Sequence, residues 1–304
     1  MTAFVKNVQN LLPLSGAVLV LMVFMGFASR FHGQEAVLSE ATAQYPIPTF
    51  YGDTPELQLS ARGLYAVDLN SGRVLISKNA DQPLLPASTV KIATALVSLE
   101  HYGQDRVLTV GKVSTPGNTM GLRTGEQISV IALLYGLLVH SGNDAAEVLA
   151  ANYPGGRGNF VAAMNALADR VGLTKTHFIN PTGFDGYLEF STPRDLVTLA
   201  TYAVDNAPLF AEIVATPKVR VTSIDGGIKH DLVSTNKLVG KSLGVVGVKT
   251  GSTAQSGESL VTLVERDGTK IMIAILGSSD RFSDTETIIN WIYDNYTWGN
   301  YSAP

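Results

Sequence analysis

The chain of 304 residues contains no cysteine. That excludes disulfides, thiol catalysis and cysteine-held zinc, and it fits either redox compartment. Charge is scarce too: 16% of residues are Asp, Glu, Lys or Arg, and the net charge is −4. Lys and Arg are scattered rather than clustered, so no nucleic-acid partner is expected. His-Glu-x-x-His is missing, and with it the helix-borne zinc site. No metal or cofactor is expected. No period marks internal repeats. The apolar fraction of 45% suffices for a sizeable core, in one large domain or two small ones.

The longest apolar run stands at the N-terminus. Leu11 to Ala28 carries no charge, with Lys6 before it and Arg30 after it. A basic start followed by an apolar stretch reads as a secretory signal, and this stretch is also long enough for a transmembrane helix. Gly26-Phe27-Ala28 is a small-x-small triplet inside the run, and Ala41-Thr42-Ala43 lies beyond it. Residues 1–28 are therefore expected to be a signal peptide or a retained membrane anchor, and the protein to be exported. Residues 29–56, with Pro46, Pro48 and Pro55, read as a linker outside any core, and residues 57–298 as the folded domain.

Within that domain the pattern alternates in character. Leu64 to Asp68 and Arg73 to Ser77, joined by Asn70-Ser71-Gly72, predict a β-hairpin. Ser88 opens a helix reaching about His101, after Pro83 and Pro86. Arg106 to Gln127 predicts small ribbons, and Ile128 to Val139 an apolar helix. Asp144 to Ala151 and Gly158 to Val171 continue the helical section. Thr192-Pro193-Arg194-Asp195 combines an N-cap, a first-turn proline and the acid of a capping box, so Asp195 reads as a cap. Val219–Thr222, Val245–Val248, Ser259–Val264 and Ile271–Leu276 read as strands, with a turn at Asp267-Gly268, and Thr285 to Tyr296 as a closing helix. The economical architecture is α+β: one antiparallel sheet built from both chain ends, with a helical insertion over about 90–215.

Three short motifs then carry the chemistry. Ser88-Thr89-Val90-Lys91 puts a hydroxyl and an amine on one helix face. A serine is a weak nucleophile until a base takes its proton, and a lysine serves only if burial or nearby cations lower its pKa. Ser141-Gly142-Asn143 falls between two helices, where a loop can aim side chains into a cleft. Lys249-Thr250-Gly251 ends an apolar strand, and a glycine there lets a ligand approach the backbone. Each alone is a common turn or strand exit; their order and contexts together are not.

Taken with their neighbours, Pro86-Ala87-Ser88-Thr89-Val90-Lys91, Leu133 to Leu138, Ser141 to Ala146, Gly247 to Gly251, Phe178 to Gly183 and Asp280-Arg281-Phe282, these motifs resemble the D-alanyl-D-alanine carboxypeptidases among the low-molecular-mass penicillin-binding proteins. The resemblance spans about Leu57 to Tyr296 and implies a β-lactamase/transpeptidase-like fold with a five-stranded sheet. It implies that Ser88 attacks the bond between two D-alanines of a peptidoglycan stem peptide, that Lys91 takes its proton, and that Ser141 relays a proton to the leaving amine. Asn143 is expected to hold the peptide amide and orient Lys91, Lys249 to act as a second cation, and Thr250 to meet the terminal carboxylate. Backbone N–H groups of Ser88 and Ser252 are implied as the oxyanion hole, beside Gly251. β-Lactams are expected to acylate Ser88 and inhibit.

Rival readings remain at this point. A class A β-lactamase needs an added glutamate; between Val171 and Thr192 the only glutamate is Glu189, without that motif's Leu-Asn. A D,D-endopeptidase cutting cross-links is a closer rival, and a non-catalytic cell-wall binder a further one. Gly240-Lys241-Ser242 lacks the first glycine of a P-loop, Thr235 standing in its place. Gly240-Lys241-Ser242-Leu243-Gly244 matches a nucleophile elbow, but a strand follows it and the last histidine, His230, precedes it. His140 is assigned a packing or rim role. Arg281 is the best match to a carboxylate-holding arginine, with a surface-loop charge as the alternative.

Overall fold

The computed structural model describes residues 46–52, 57–241 and 243–299. The signal or anchor reading of residues 1–28 lies outside them, as does Ser242 of the elbow-like stretch. Among the described residues no helix is long and apolar enough to cross a membrane.

The first element corrects the linker reading. β1 (Ile47–Phe50) pairs antiparallel with the last described strand, Tyr296–Gly299. Two prolines masked it in the sequence, yet Pro48 is tolerated because an edge strand does not need its N–H. The Phe50 ring stacks on Trp291 at 6.0 Å and meets Tyr296 edge-on at 5.3 Å.

The expected hairpin follows as β2 (Gly63–Asp68) and β3 (Val74–Lys78). Its turn is held by Asp68, whose Oδ1 accepts from Ser71 N and Oγ at 2.8 and 2.6 Å. A 3₁₀ turn, Ala87–Val90, leads into α1 (Lys91–His101). A ribbon of β4 (Val107–Thr109) and β5 (Gln127–Ser129) comes next, then α2 (Val130–Leu138). The α2 helix thus starts two residues later than its apolar run, because Gln127–Ser129 is drawn into pairing with β4 and Ser129 caps the helix.

α3 (Asn143–Ala151), α4 (Gly156–Val171), α5 (Pro193–Asn206) and α6 (Pro208–Val214) complete the helical section. The α5 cap forms, with Thr192 Oγ1 accepting from Asp195 N at 3.0 Å. The reciprocal half of the capping box does not: Asp195 Oδ2 accepts instead from Lys175 N and Thr176 Oγ1, both at 2.8 Å, which ties α5 to the loop before it.

β6 (Lys218–Thr222) and β7 (Lys229–Val233) form a second ribbon. β8 (Val245–Thr253), β9 (Gly257–Arg266) and β10 (Thr269–Ser278) follow, then α7 (Arg281–Asn295) and β11 (Tyr296–Gly299). The main sheet is antiparallel and five-stranded in the order β3-β2-β10-β9-β8, so both ends of the domain build it.

Its alternation sorts two cores. Tyr65, Val67, Met272, Ala274 and Leu276 face the helical section, while Leu64, Ala66, Ile271, Ile273 and Ile275 face α7. Strands buried on both faces read as near-continuous apolar runs, as β10 does. On the helical side α1 is buried from Lys91 to Ser98, so it is a central helix rather than a surface one. That burial carries Lys91 into the interior.

Candidate active site

Ser88 sits in the 3₁₀ turn and Lys91 at the first residue of α1, so their side chains meet: Lys91 Nζ lies 2.8 Å from Ser88 Oγ. Lys91 is fully buried. Its Nζ donates to Asn143 Oδ1 and to the Thr182 carbonyl, both at 2.7 Å. A neutral amine has two N–H bonds and one lone pair. The two fixed acceptors take the N–H bonds, and the lone pair is left for the Ser88 hydroxyl. Burial first, and the Lys249 ammonium second, hold the Lys91 amine well below its ordinary range, against the opposing pull of Asp144 and Glu147. The arrangement can therefore deprotonate a serine.

The other motifs converge on the same place. Asn143 opens α3, and its Nδ2 donates to Pro116 O at 2.7 Å, which fixes its oxygen toward Lys91. Ser141, two residues earlier, has φ +60°, and Ala87 has φ +50°. Non-glycine residues in the left-handed region cost on the order of 1–3 kcal/mol each, and here they flank one cleft. Lys249 on β8 is buried, and its Nζ donates to Ser141 Oγ at 2.9 Å and to Thr250 O at 3.0 Å. Burial, helped by the Arg281 guanidinium, pulls its pKa from 10.5 down to about 7.

Gly251 is needed for contact: a Cβ there would lie 3.0 Å from both Ala87 Cβ and Ser88 N. The β8 backbone thus runs against the Ser88 amide. Thr250 Oγ1 pairs with Thr235 Oγ1 at 2.6 Å. Arg281 comes into the site rather than lying on the surface, its Nη1 donating to Gly251 O at 2.9 Å and its Nε buried without a partner. His140 does not line the cavity; its Nδ1 lies 3.3 Å from Val233 O.

Several residues that shape the site carry no side-chain signature in sequence. The Thr182 carbonyl is one. It is set by Asn180, whose Oδ1 accepts from Thr182 N and Oγ1, Gly183 N and Phe184 N at 2.7–3.1 Å. Glu189 Oε2 in turn accepts from Asn180 Nδ2 and Ile179 N, both at 2.9 Å. Its other oxygen is buried without a partner, and burial raises its pKa to about 8. Asp144 accepts from Met120 N, Gly121 N and Leu122 N, pinning the loop across the cleft. The Phe178–Gly183 run and the Asp after Ser-Gly-Asn were the available signals.

Ser88, Ser141, Asn143, Thr250, Gly251, Ser252 and Arg281 line one cavity of about 260 Å³. Among the described residues no cluster of His, Asp and Glu could hold a metal.

Comparison with known proteins agrees with this geometry. The family model for D-alanyl-D-alanine carboxypeptidase matches residues 51–280. A D-alanyl-D-alanine carboxypeptidase of Mycobacterium tuberculosis is 33% identical over 250 residues, covering 79% of this chain and 84% of the relative. A D-alanyl-D-alanine endopeptidase of Pseudomonas aeruginosa is 33% identical over 264 residues, covering 84% of each. The crystal structure of the Streptomyces K15 DD-transpeptidase superposes with a TM-score of 0.74 at 31% identity, covering 79% of this chain and all of that one. The chain therefore belongs to the D-alanyl-D-alanine carboxypeptidase family, serine peptidases of the penicillin-binding fold that act on peptidoglycan outside the cytoplasm.

Proposed function

We propose that this protein is a serine D-alanyl-D-alanine carboxypeptidase that removes the terminal D-alanine from peptidoglycan stem peptides through an acyl-enzyme on Ser88. The observation that carries this reading is the cradle beside Ser88: the Thr250 hydroxyl, Ser252 and the Arg281 guanidinium line the same small cavity, with Lys249 beneath. Such a set fits a free peptide carboxylate. A cavity of about 260 Å³ suits a short peptide end.

The Ser88 oxygen attacks the carbonyl between the two D-alanines, and its proton passes to Lys91. The backbone N–H groups of Ser88 and Ser252 stabilise the oxyanion, a contribution of about 3–4 kcal/mol per donor. Asn143 holds the substrate amide and keeps Lys91 aimed. Breaking the C–N bond needs a proton on the leaving amine. Ser141 relays it from Lys249, whose pKa of about 7 suits both giving and recovering a proton near neutral pH. Water then attacks the ester: its proton passes back through Ser141 to Lys249, and its hydroxyl goes to the acyl carbon. Lys91 returns its proton to the Ser88 oxygen as that bond breaks, which restores all three groups. A β-lactam enters as a peptide mimic and acylates the same oxygen. Glu189 does not line the Ser88 cavity and is tied to Ile179 and Asn180, which leaves no glutamate for rapid lactam hydrolysis. In this reading residues 1–28 carry the chain into or across the membrane, and the domain that follows meets the wall.

A second reading, cleavage of cross-links, is favoured by the endopeptidase name of a relative as similar as the carboxypeptidase. Incubation with a fluorescent penicillin, and in parallel with a diacetyl-Lys-D-Ala-D-Ala peptide, tests both. A stable label absent in Ser88→Ala, with release of one D-alanine, is expected. Absence of label overturns the proposal, rapid label turnover points to a lactamase, and cleavage of cross-linked dimers alone points to the endopeptidase.

A further inference from the structure

One buried ionisable pair lies outside the Ser88 cavity. β7 alternates, so Lys229, Asp231 and Val233 face outward while His230 and Leu232 face the interior. His230 thereby meets Glu126, the residue before β5, with Nε2 2.7 Å from Oε1. The two side chains are 2% and 0% exposed. Glu126 Oε2 accepts from Arg123 N at 3.0 Å. The other ring nitrogen, Nδ1, lies 2.9 Å from the Met120 carbonyl oxygen. A carbonyl oxygen only accepts, so Nδ1 carries a hydrogen and donates it.

Met120 belongs to the loop that walls the Ser88 cavity through Gly117 and Asn118. α3 holds that loop from the other side. Met120 N donates to Asp144 Oδ1 at 2.9 Å. Asn143 donates from its backbone N to Asn118 O and from Nδ2 to Pro116 O, each at 2.7 Å. The Met120 peptide is thus gripped at both ends, its N–H by Asp144 and its C=O by His230. Asn143 is also the residue whose Oδ1 accepts from Lys91 Nζ. The grip therefore reaches the base in three steps: along the loop to Asn118, across to Asn143, and on to Lys91. Without the Nδ1 donor the Met120 carbonyl would be left unpaired in the interior, and the loop would have to shift to satisfy it. For stability alone, an apolar pair of like volume serves as well as a buried ionisable one.

We infer that His230 is a positioning residue for acylation of Ser88. Through the Met120 carbonyl it sets the cleft loop, and through Asn118 and Asn143 the aim of Lys91, while Glu126 holds the ring in place. The inference rests on the acyl-enzyme reading of Ser88 and on no particular peptide.

Two replacements separate the roles of the two ring nitrogens. An asparagine amide reaches the place of Nδ1, and a glutamine amide that of Nε2. Each is made in the full chain together with Glu126→Gln, so that no carboxylate is left buried without a partner. His230→Asn keeps a donor for Met120 O, and His230→Gln loses it. The two double variants are expected to unfold at similar temperatures. The penicillin acylation rate constant at saturation is expected to fall about tenfold with His230→Gln, as for a small misplacement of the base, and to stay near the wild-type value with His230→Asn. Equal rates in the two double variants, or losses that follow Tm, overturn the positioning role. The nitrogen-15 spectrum of His230 in the wild type is a separate reading: a hydrogen on Nδ1 is expected, and a bare Nδ1 overturns the grip on Met120. Absence of penicillin label on the wild type overturns the acyl-enzyme reading instead. The spectrum then still decides the grip, together with amide exchange at Gly121 and Leu122, expected to be faster with His230→Gln than with His230→Asn.

Discussion

Two fully buried lysines, Lys91 and Lys249, share one cleft, and the Lys249 ammonium makes the charge on Lys91 harder to hold. Lys91 has to be neutral to take the Ser88 proton, so acylation by penicillin is expected to fall as pH drops through its depressed pKa. The neighbours set where that limb lies. Lys249→Gln removes a cation that lowers it and should move the limb to higher pH; Glu147→Gln removes an anion that raises it and should move the limb lower. Acylation rates across pH in the three proteins check this, and shifts of the same sign would contradict the assignment. Glu189 supplies a different test, on stability. Folded, its carboxyl keeps a proton up to about 8; unfolded, it loses it near 4.5. The folded state thus binds more protons between those values, and its stability falls as pH rises through that window. Below about 4.5 the effect is absent, and above about 8 it is complete. Glu189→Gln mimics the protonated acid and should gain on the wild type by an amount of order a few kcal/mol between pH 5 and pH 8.5, read from denaturant midpoints.

At the scale of elements, the site is a three-way contact between the Ala87–Val90 turn, β8 and the loop that follows Asn180. Gly183 makes the contact possible. It has φ +83°, and a Cβ on it would lie 2.0 Å from Ala87 O and 2.9 Å from Ser88 N. Neither backbone can yield without moving the nucleophile. Gly183→Ala is therefore expected to lower the penicillin acylation rate by about 100-fold, the effect of an ångström-scale misplacement, while circular dichroism shows the fold retained. The same contact explains what the sequence could and could not disclose. Ser88, Lys91, Ser141, Asn143 and Lys249 were legible because side chains with chemistry recur at fixed spacings on predictable elements. The Thr182 carbonyl was not, because a backbone acceptor leaves no letter, and its aim depends on Asn180 and Glu189 through bonds no spacing encodes. Arg281 stayed ambiguous for a related reason: it reaches Gly251, 30 residues away in sequence, only once β9 and β10 have folded between them.

For the molecule as a whole, the sheet was readable from its apolar alternation, and so was its construction from both ends of the domain. β1 was not, since its Ile47 and Phe50 flank a proline and its partner lies at the far end of the chain. Local pattern cannot report a pairing of that separation. The ribbon of β1 and β11 belongs to the α7 side of the sheet, opposite the helical side that carries Lys91 and Asn143. Phe50 joins it to the fold through Trp291 and Tyr296, and Tyr51 N adds a bond to Asn295 O at 3.0 Å. The ribbon thus secures the N-terminal end of the described domain, and none of its residues lines the cavity. Phe50→Ala removes the aromatic pairs, each worth about 0.5–1.5 kcal/mol beyond the area buried. For a domain of this size the two pairs together correspond to a drop in Tm of about 2–12 °C. Penicillin acylation at 25 °C should be unchanged, because no wall of the cavity rests on Phe50. A fall in acylation matching the fall in Tm would mean that the ribbon and the cleft are mechanically one unit, with the sheet transmitting what happens at its edge to Lys249 on β8.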